Sequence, residues 1–145
     1  MHNATVMAFD FGLKRIGVAV GDIALKIPHA LKTIDQAENV KRFTAITLVI
    51  KEWQPAVFVV GYPKHMDGGE HALAHLARKF GRRLEQEFHV KTEYIDETLS
   101  SCAAESILKE MGVNSVKRKQ LLDSVAAQEI LRSYFSLLPH APTGY

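Results

Sequence analysis

Thr5-Val6-Met7-Ala8-Phe9-Asp10-Phe11, then Gly12-Leu13-Lys14, then Arg15-Ile16-Gly17-Val18-Ala19-Val20-Gly21-Asp22 is the stretch that decides the fold. Its first segment alternates, with Val6, Ala8 and Asp10 on one face of a strand and Met7, Phe9 and Phe11 on the other. Gly12-Leu13-Lys14 reads as a turn, and Arg15 to Val20 as a second β-rich run that ends at Gly21-Asp22. A third, short strand is expected from Ala30 to Ile34, after Pro28. Connections this short join antiparallel neighbours, so the chain opens with a meander.

Beyond Ile34 the period changes. Val40, Phe43, Ile46 or Thr47, Ile50 and Trp53 recur every three to four residues, which predicts an amphipathic helix closed by Pro55. Val57-Phe58-Val59-Val60 before Gly61 reads as a strand buried on both faces. A loop from Tyr62 to about Glu70 leads to a second helix marked by Leu73, Leu76, Phe80, Leu84 and Phe88, and Thr92 to Asp96 is the fifth strand. A short helix from about Ser101 to Met111 should stop at Gly112, and a last one should run from about Lys117 to Leu138. The order β-β-β-α-β-α-β-α-α, with right-handed crossovers in its second half, predicts an α/β fold with a five-stranded mixed sheet.

With 145 residues, 47% hydrophobic and 23% charged, the composition is that of one globular domain, expected over residues 1–138 with a loose tail at 139–145. Apolar runs such as Ala56 to Val60 fall far short of the roughly 20 residues of a membrane-spanning helix, and Met1 to Thr5 has no signal-peptide character. The lone Cys102 cannot form an intrachain disulfide, which suits the cytoplasm. A net charge of +2 permits a nucleic-acid partner without demanding one.

Three acids stand out. Asp10 ends an apolar strand, where a carboxylate is costly unless it is paired, binds a metal or caps the turn. Asp96-Glu97 repeats the situation after the fifth strand, at the sheet edge where open α/β sheets take ligands. Asp123 precedes Ala126-Ala127 in the last helix, and those small residues would let the helix approach the sheet. Together these carboxylates suit Mg²⁺ or Mn²⁺, hard cations that take oxygen ligands, and two such ions can activate water and stabilise the leaving oxygen of a phosphodiester.

The motif from Asp10 to Asp22 strongly resembles the opening of the YqgF/RuvX family, Holliday-junction-resolvase-like proteins also described as pre-16S rRNA nucleases. Val59-Val60-Gly61-Tyr62-Pro63 with Met66-Asp67-Gly68, then Asp96-Glu97, then Asp123-Ser124-Val125-Ala126-Ala127 with Ile130-Leu131, follow in the family's order. The resemblance implies a ribonuclease H-like fold with helices on both faces of the sheet. It implies a cytoplasmic, metal-dependent nuclease that processes the 5′ end of 16S rRNA on ribosomal precursor particles, or that acts on branched DNA. Asp10, Glu97 and Asp123 would be its catalytic and metal-holding acids. The chain departs from the family at Thr98, where an arginine is usual, and at Gly69-Glu70-His71, where a threonine would be more typical after Gly68.

Basic residues fall into clusters that could contact phosphates. Arg78, Lys79, Arg82 and Arg83 share the second helix, where spacing pairs Arg78 with Arg82; a solvated helix face is the plain alternative. Lys117-Arg118-Lys119 opens the last helix, where cations oppose the helix dipole, and Lys14 and Arg15 flank the first acid. His71 and His75, with His65 nearby, have a zinc-like spacing, but a chain with seven histidines produces it easily by chance. Cys102 has no catalytic histidine arrangement and reads as an inert thiol. Three functions compete: a metal-dependent nuclease, a nucleic-acid-binding module weakened in catalysis, and a small-molecule kinase, for which the length leaves no second domain to close over ATP. Retention of all three acids favours the nuclease, because carboxylates repel the phosphates a binder would seek.

Overall fold

The computed structural model describes residues 4–62, 69–96 and 100–138. The strands β1 (Thr5–Phe11), β2 (Ile16–Asp22) and β3 (Ile27–Ile34) form the expected meander. Helix α1 (Asn39–Trp53), strand β4 (Val57–Tyr62), helix α2 (Gly69–Phe88), strand β5 (Lys91–Asp96) and helices α3 (Ser100–Glu110) and α4 (Ser115–Leu137) follow. The sheet order is β3-β2-β1-β4-β5; β1, β4 and β5 run parallel, while β2 is antiparallel to both β1 and β3. The carboxyl ends of β1, β4 and β5 therefore share one edge.

The alternation of β1 divides the core as its sequence implies. Met7 and Phe9 join Val18, Phe58 and Val60 beneath α1 and α2, whereas Val6 and Ala8 join Ala19, Val59 and Ile95 beneath α4. Helix α3 packs on α4 through Ala104 and Leu108, away from the sheet. No helix among the described residues is long and apolar enough to cross a membrane.

Local details differ from the sequence expectations for identifiable reasons. Strand β3 begins at Ile27 and includes Pro28 opposite Gly21; an edge strand tolerates a residue without an N–H. Its register slips opposite Val18 and Ala19, which face Lys32 and Ala30 and leave Leu31 as the extra residue. In α1 the buried stripe is Phe43, Ile46, Val49 and Ile50, while the expected apolar positions Val40 and Trp53 are 73% and 38% exposed, because both lie at helix ends that reach past the sheet. Pro55 does close that helix, after Gln54 turns left-handed. Helix α4 begins earlier than Lys117: Asn114 is its N-cap, and its side chain accepts a hydrogen bond from the Lys117 amide at 2.9 Å. Gly112, at φ +74°, ends α3 as expected, in a conformation that disfavours any residue with a Cβ. The expected tail at 139–145 lies outside the described residues.

Candidate functional site

Asp10 is the next-to-last residue of β1, half-buried, on the face turned toward α4. Its direct neighbours across the sheet are Gly17 on β2 and Gly61 on β4. Neither presents a side chain beside the Asp10 carboxylate. Helix α4 fills the β2 side. A Cβ placed on Gly17 would come within 1.8 Å of the Asp123 carbonyl oxygen and 2.9 Å of the Ser124 nitrogen, so the helix backbone rests directly on that glycine. Paired residues of an antiparallel ladder lie about 5 Å apart. The main chain of Asp123 is thus seated one strand away from Asp10. Ala127, fully buried in the core beneath the sheet, keeps the next turn close to it, while Ala126 is buried against α3.

Arg15 reaches this place from the β1–β2 turn. Its Nε donates to Asp123 Oδ2 at 2.8 Å, in a pair that is partly open to solvent. That hydrogen bond, together with the carboxylate's charge, holds the Arg15 guanidinium pKa above its ordinary value. The turn itself is gripped from below by Arg42 of α1. One guanidinium nitrogen of Arg42 donates to Leu13 O at 3.1 Å and the other to Gly12 O, and the group lies over the Phe11 ring at 5.1 Å from its centroid. Sequence reasoning passed over Arg42. A helical arginine between Lys41 and Phe43 carries no local sign of its target, although a cation on the buried stripe of α1 is an available clue.

Asp22 caps the turn after β2: its Oδ1 accepts from the amides of Ala24 at 2.7 Å and Leu25 at 3.1 Å. Glu97 and Thr98 lie outside the described residues, as do His65 and Met66-Asp67-Gly68. Ile95, on the same rung as Gly61 and Asp10 and in the α4-side core, stands two positions before Glu97. Among the described residues no group of three or more His, Cys, Asp and Glu could hold a metal ion. Asp10 and Asp123 are oxygen donors, the chemistry a hard divalent cation takes, and a third carboxylate would have to come from outside the described residues.

The basic residues divide. Lys14 is exposed on the β1–β2 turn and Lys117 in the first turn of α4, where Lys119 follows. Arg118 folds back, donating to Val113 O at 2.7 Å. Arg78 and Arg82 stand on α2, across the sheet from Asp10, so the structure does not bring them to the acids; Arg78 lies over the Tyr94 ring at 5.2 Å. His75 is exposed on the same helix.

Comparison with known proteins agrees with this architecture. RuvC of T. thermophilus, solved in complex with a Holliday junction substrate, aligns with a TM-score of 0.56 at 15% identity, over 91% of this chain and 93% of that one. At that identity the likeness is one of fold, and the fold is ribonuclease H-like. A protein of Methylobacillus flagellatus named "Putative pre-16S rRNA nuclease" is 54% identical over 130 residues, covering 90% of this chain and 89% of that protein. A Neisseria meningitidis serogroup C protein of the same name is 51% identical over 138 residues, covering 93% and 91%. Residues 4–137, from the first strand through the helix that seats Asp123, match the family described as "RuvX: Holliday junction resolvase", and the chain belongs to that RuvX family.

Proposed function

We propose that this chain is a hydrolase, a metal-dependent endonuclease that cuts phosphodiesters of structured nucleic acid, with the 5′ end of precursor 16S rRNA as its substrate on ribosomal precursor particles in the cytoplasm. The names of its relatives support the substrate. The observation that carries the reading is the contact of α4 with Gly17, which seats Asp123 beside the strand position of Asp10. Gathering carboxylates costs electrostatic energy, so such a contact makes chemical sense where a cation is to be held. Asp10, Glu97 and Asp123 would hold Mg²⁺ or Mn²⁺. Bound there, the metal supplies charge neutralisation at the scissile phosphate and an activated water.

The chain's own residues do the rest. Arg15 orients the Asp123 carboxylate through its Oδ2. Arg42 fixes the turn that leads to Arg15, and so helps to hold the cation that orients Asp123. Lys14, exposed on the β1–β2 turn, and Lys117, exposed in the first turn of α4, would draw the phosphates in, with Lys119 a further candidate from the sequence. One domain over residues 1–138 suffices for these roles.

Cleavage of a panel of precursor rRNA and four-way DNA junctions, by the wild type and Asp10→Asn in Mg²⁺ or Mn²⁺, tests the proposal. Cleavage of the precursor that disappears with chelator and with Asp10→Asn is the expected result. Undiminished metal-dependent turnover by a pure Asp10→Asn preparation would remove Asp10 from the site, and cutting confined to the four-way junction would replace the RNA substrate with branched DNA.

A further inference from the structure

Across the sheet from the acids, a groove of about 610 Å³ runs between α1 and α2. That volume suits a molecular ligand rather than a bare ion. Of the described residues lining it, Arg42, His75, Lys79, Arg82 and Arg83 are basic and none carries a carboxylate.

Two observations set this groove apart from a solvated helix face. The first is Arg42, only 7% exposed on the groove wall, whose buried Nε has no hydrogen-bond partner. It forms no ion pair among the described residues, and burial pushes its guanidinium pKa down. Its two terminal nitrogens already donate to Gly12 O and Leu13 O, so Nε is the donor left over, and a phosphate oxygen is an acceptor that also matches the uncompensated charge. The second is a stripe on α2. His75, Lys79, Arg82 and Gln86 recur at helical spacing and all line the groove. Arg83 is already committed, paired with Glu87 at 2.8 Å and lying 3.7 Å above the Phe43 ring centroid. Lys79 and Arg82 form no ion pair among the described residues; of the acids on α2, Glu87 pairs with Arg83, and Glu85 acts on Tyr94 together with Arg82.

We infer that this groove binds the sugar-phosphate backbone of a single nucleic-acid strand, as a continuation of the substrate whose scissile bond lies at Asp10. The inference rests on the nuclease reading for that continuity. From His75 to Gln86 the stripe spans about 16 Å of helix, the length of four or five nucleotides stacked at about 3.4 Å, which exceeds a lone phosphate. The two sites also meet. Phe11 lines the groove, while Asp10, the residue before it with a Cα about 3.8 Å away, faces α4. A strand crossing the end of the sheet at Phe11 would pass from one site to the other.

The test is fluorescence anisotropy of a labelled oligouridine with the full chain in EDTA, over a series of KCl concentrations, for the wild type, Lys79→Ala, Arg82→Ala and the double variant. Both residues are exposed, and circular dichroism checks that the fold is kept. Each substitution should lower the slope of log K against log salt by about 0.7, and the double variant by about twice that. Unchanged slopes in all three variants overturn the inference. So does an equal loss of binding to uridine monophosphate, which would make the groove a nucleotide pocket. So too would sedimentation showing that the double variant dissociates a dimer while its oligouridine slope is unchanged. Binding in EDTA is independent of turnover: falling slopes in a chain that cuts nothing keep the groove and end the nuclease reading. Loss of cleavage in Asp10→Asn with unchanged slopes does the reverse.

Discussion

On one face of the sheet Met7, Phe9, Phe58 and Val60 are sealed under the aromatic rings of α1 and α2; on the other, Val6, Ala8, Ala19 and Val59 meet α4 through Ala127, Ile130 and Leu131. The first face is filled by interlocking rings. Phe9 stands edge-on to Phe80 at 5.4 Å, and Phe58 edge-on to Phe88 at 6.1 Å. The second also carries large residues, Ile130, Leu131, Tyr134 and Phe135, but toward Asp123 it narrows to Ala127, and at Gly17 the helix backbone touches the strand itself. Bulky packing holds helices at the usual distance and makes a rigid slab. Small residues let a helix bring its main chain, and with it Asp123, down to the sheet. Stability and site geometry are thus assigned to different faces of one sheet, and the shared strand β1 serves both through its alternation.

The strongest way to break this comparison is a substitution that affects chemistry without affecting packing. Asp10→Asn keeps the size of the side chain on the α4 face and removes the charge. If the metal is worth several kcal/mol of transition-state stabilisation, cleavage should fall by about a thousandfold or more while the thermal midpoint stays near that of the wild type. Single-turnover cleavage and calorimetry on one preparation check both halves. The converse substitution is Phe58→Ala, on the aromatic face. Loss of a fully buried ring should cost about 3 to 5 kcal/mol in urea denaturation, and the remaining folded fraction should cleave at nearly the wild-type rate per folded molecule.

Gly17→Ala lies between these extremes and sharpens the contrast. Its new Cβ has no flexible neighbour to displace, because the atoms it meets are the Asp123 and Ser124 backbone. The helix must shift, at about 1 to 3 kcal/mol of overpacking, and the shift is delivered to Asp123. Activity per folded molecule should therefore fall well below what the stability loss accounts for. A Gly17→Ala enzyme that loses stability alone would mean that Asp123 need not be held against the sheet.

Much of this arrangement was legible in the sequence because it depends on local periodicity. The alternation of β1 announces which residues face which side, and the anomaly of an acid at the end of an apolar run points to Asp10. Of the two small residues that suggest a close helix, Ala127 lies against the sheet and Ala126 against α3, and the glycine that the helix backbone rests on is Gly17, more than a hundred positions away. Its neighbours Ile16 and Val18 look like any strand, and only the tertiary placement of α4 gives the glycine its meaning. Arg42 is obscure for the same reason: its partners are the carbonyls of Gly12 and Leu13, which no pattern within α1 reveals. Arg78 and Arg82 share a helix face by spacing, yet spacing cannot say which side of the sheet that helix covers. Asn114 was readable, since an asparagine before a polar-apolar run is an ordinary N-cap, but the basic triplet drew the expected helix start to Lys117.

That triplet provides the finest distinction, between two adjacent cations at the start of α4. Lys117 uses only its backbone amide, which Asn114 caps at 2.9 Å, and its side chain is exposed. Arg118 spends its guanidinium on Val113 O at 2.7 Å, tying the helix to the segment before it. If Lys117 contacts a phosphate, Lys117→Ala should lower the salt slope of nucleic-acid binding by about 0.7 to 0.9, depending on strandedness, with the fold undisturbed because the cap is backbone-mediated. Arg118→Ala should leave that slope alone and cost about 1 kcal/mol of stability, the ordinary worth of one hydrogen bond. Equal slope losses in the two variants would mean that Arg118 leaves Val113 to meet the substrate. An unchanged slope in both would make Lys117 and Arg118 part of a solvated face and take them out of the substrate path.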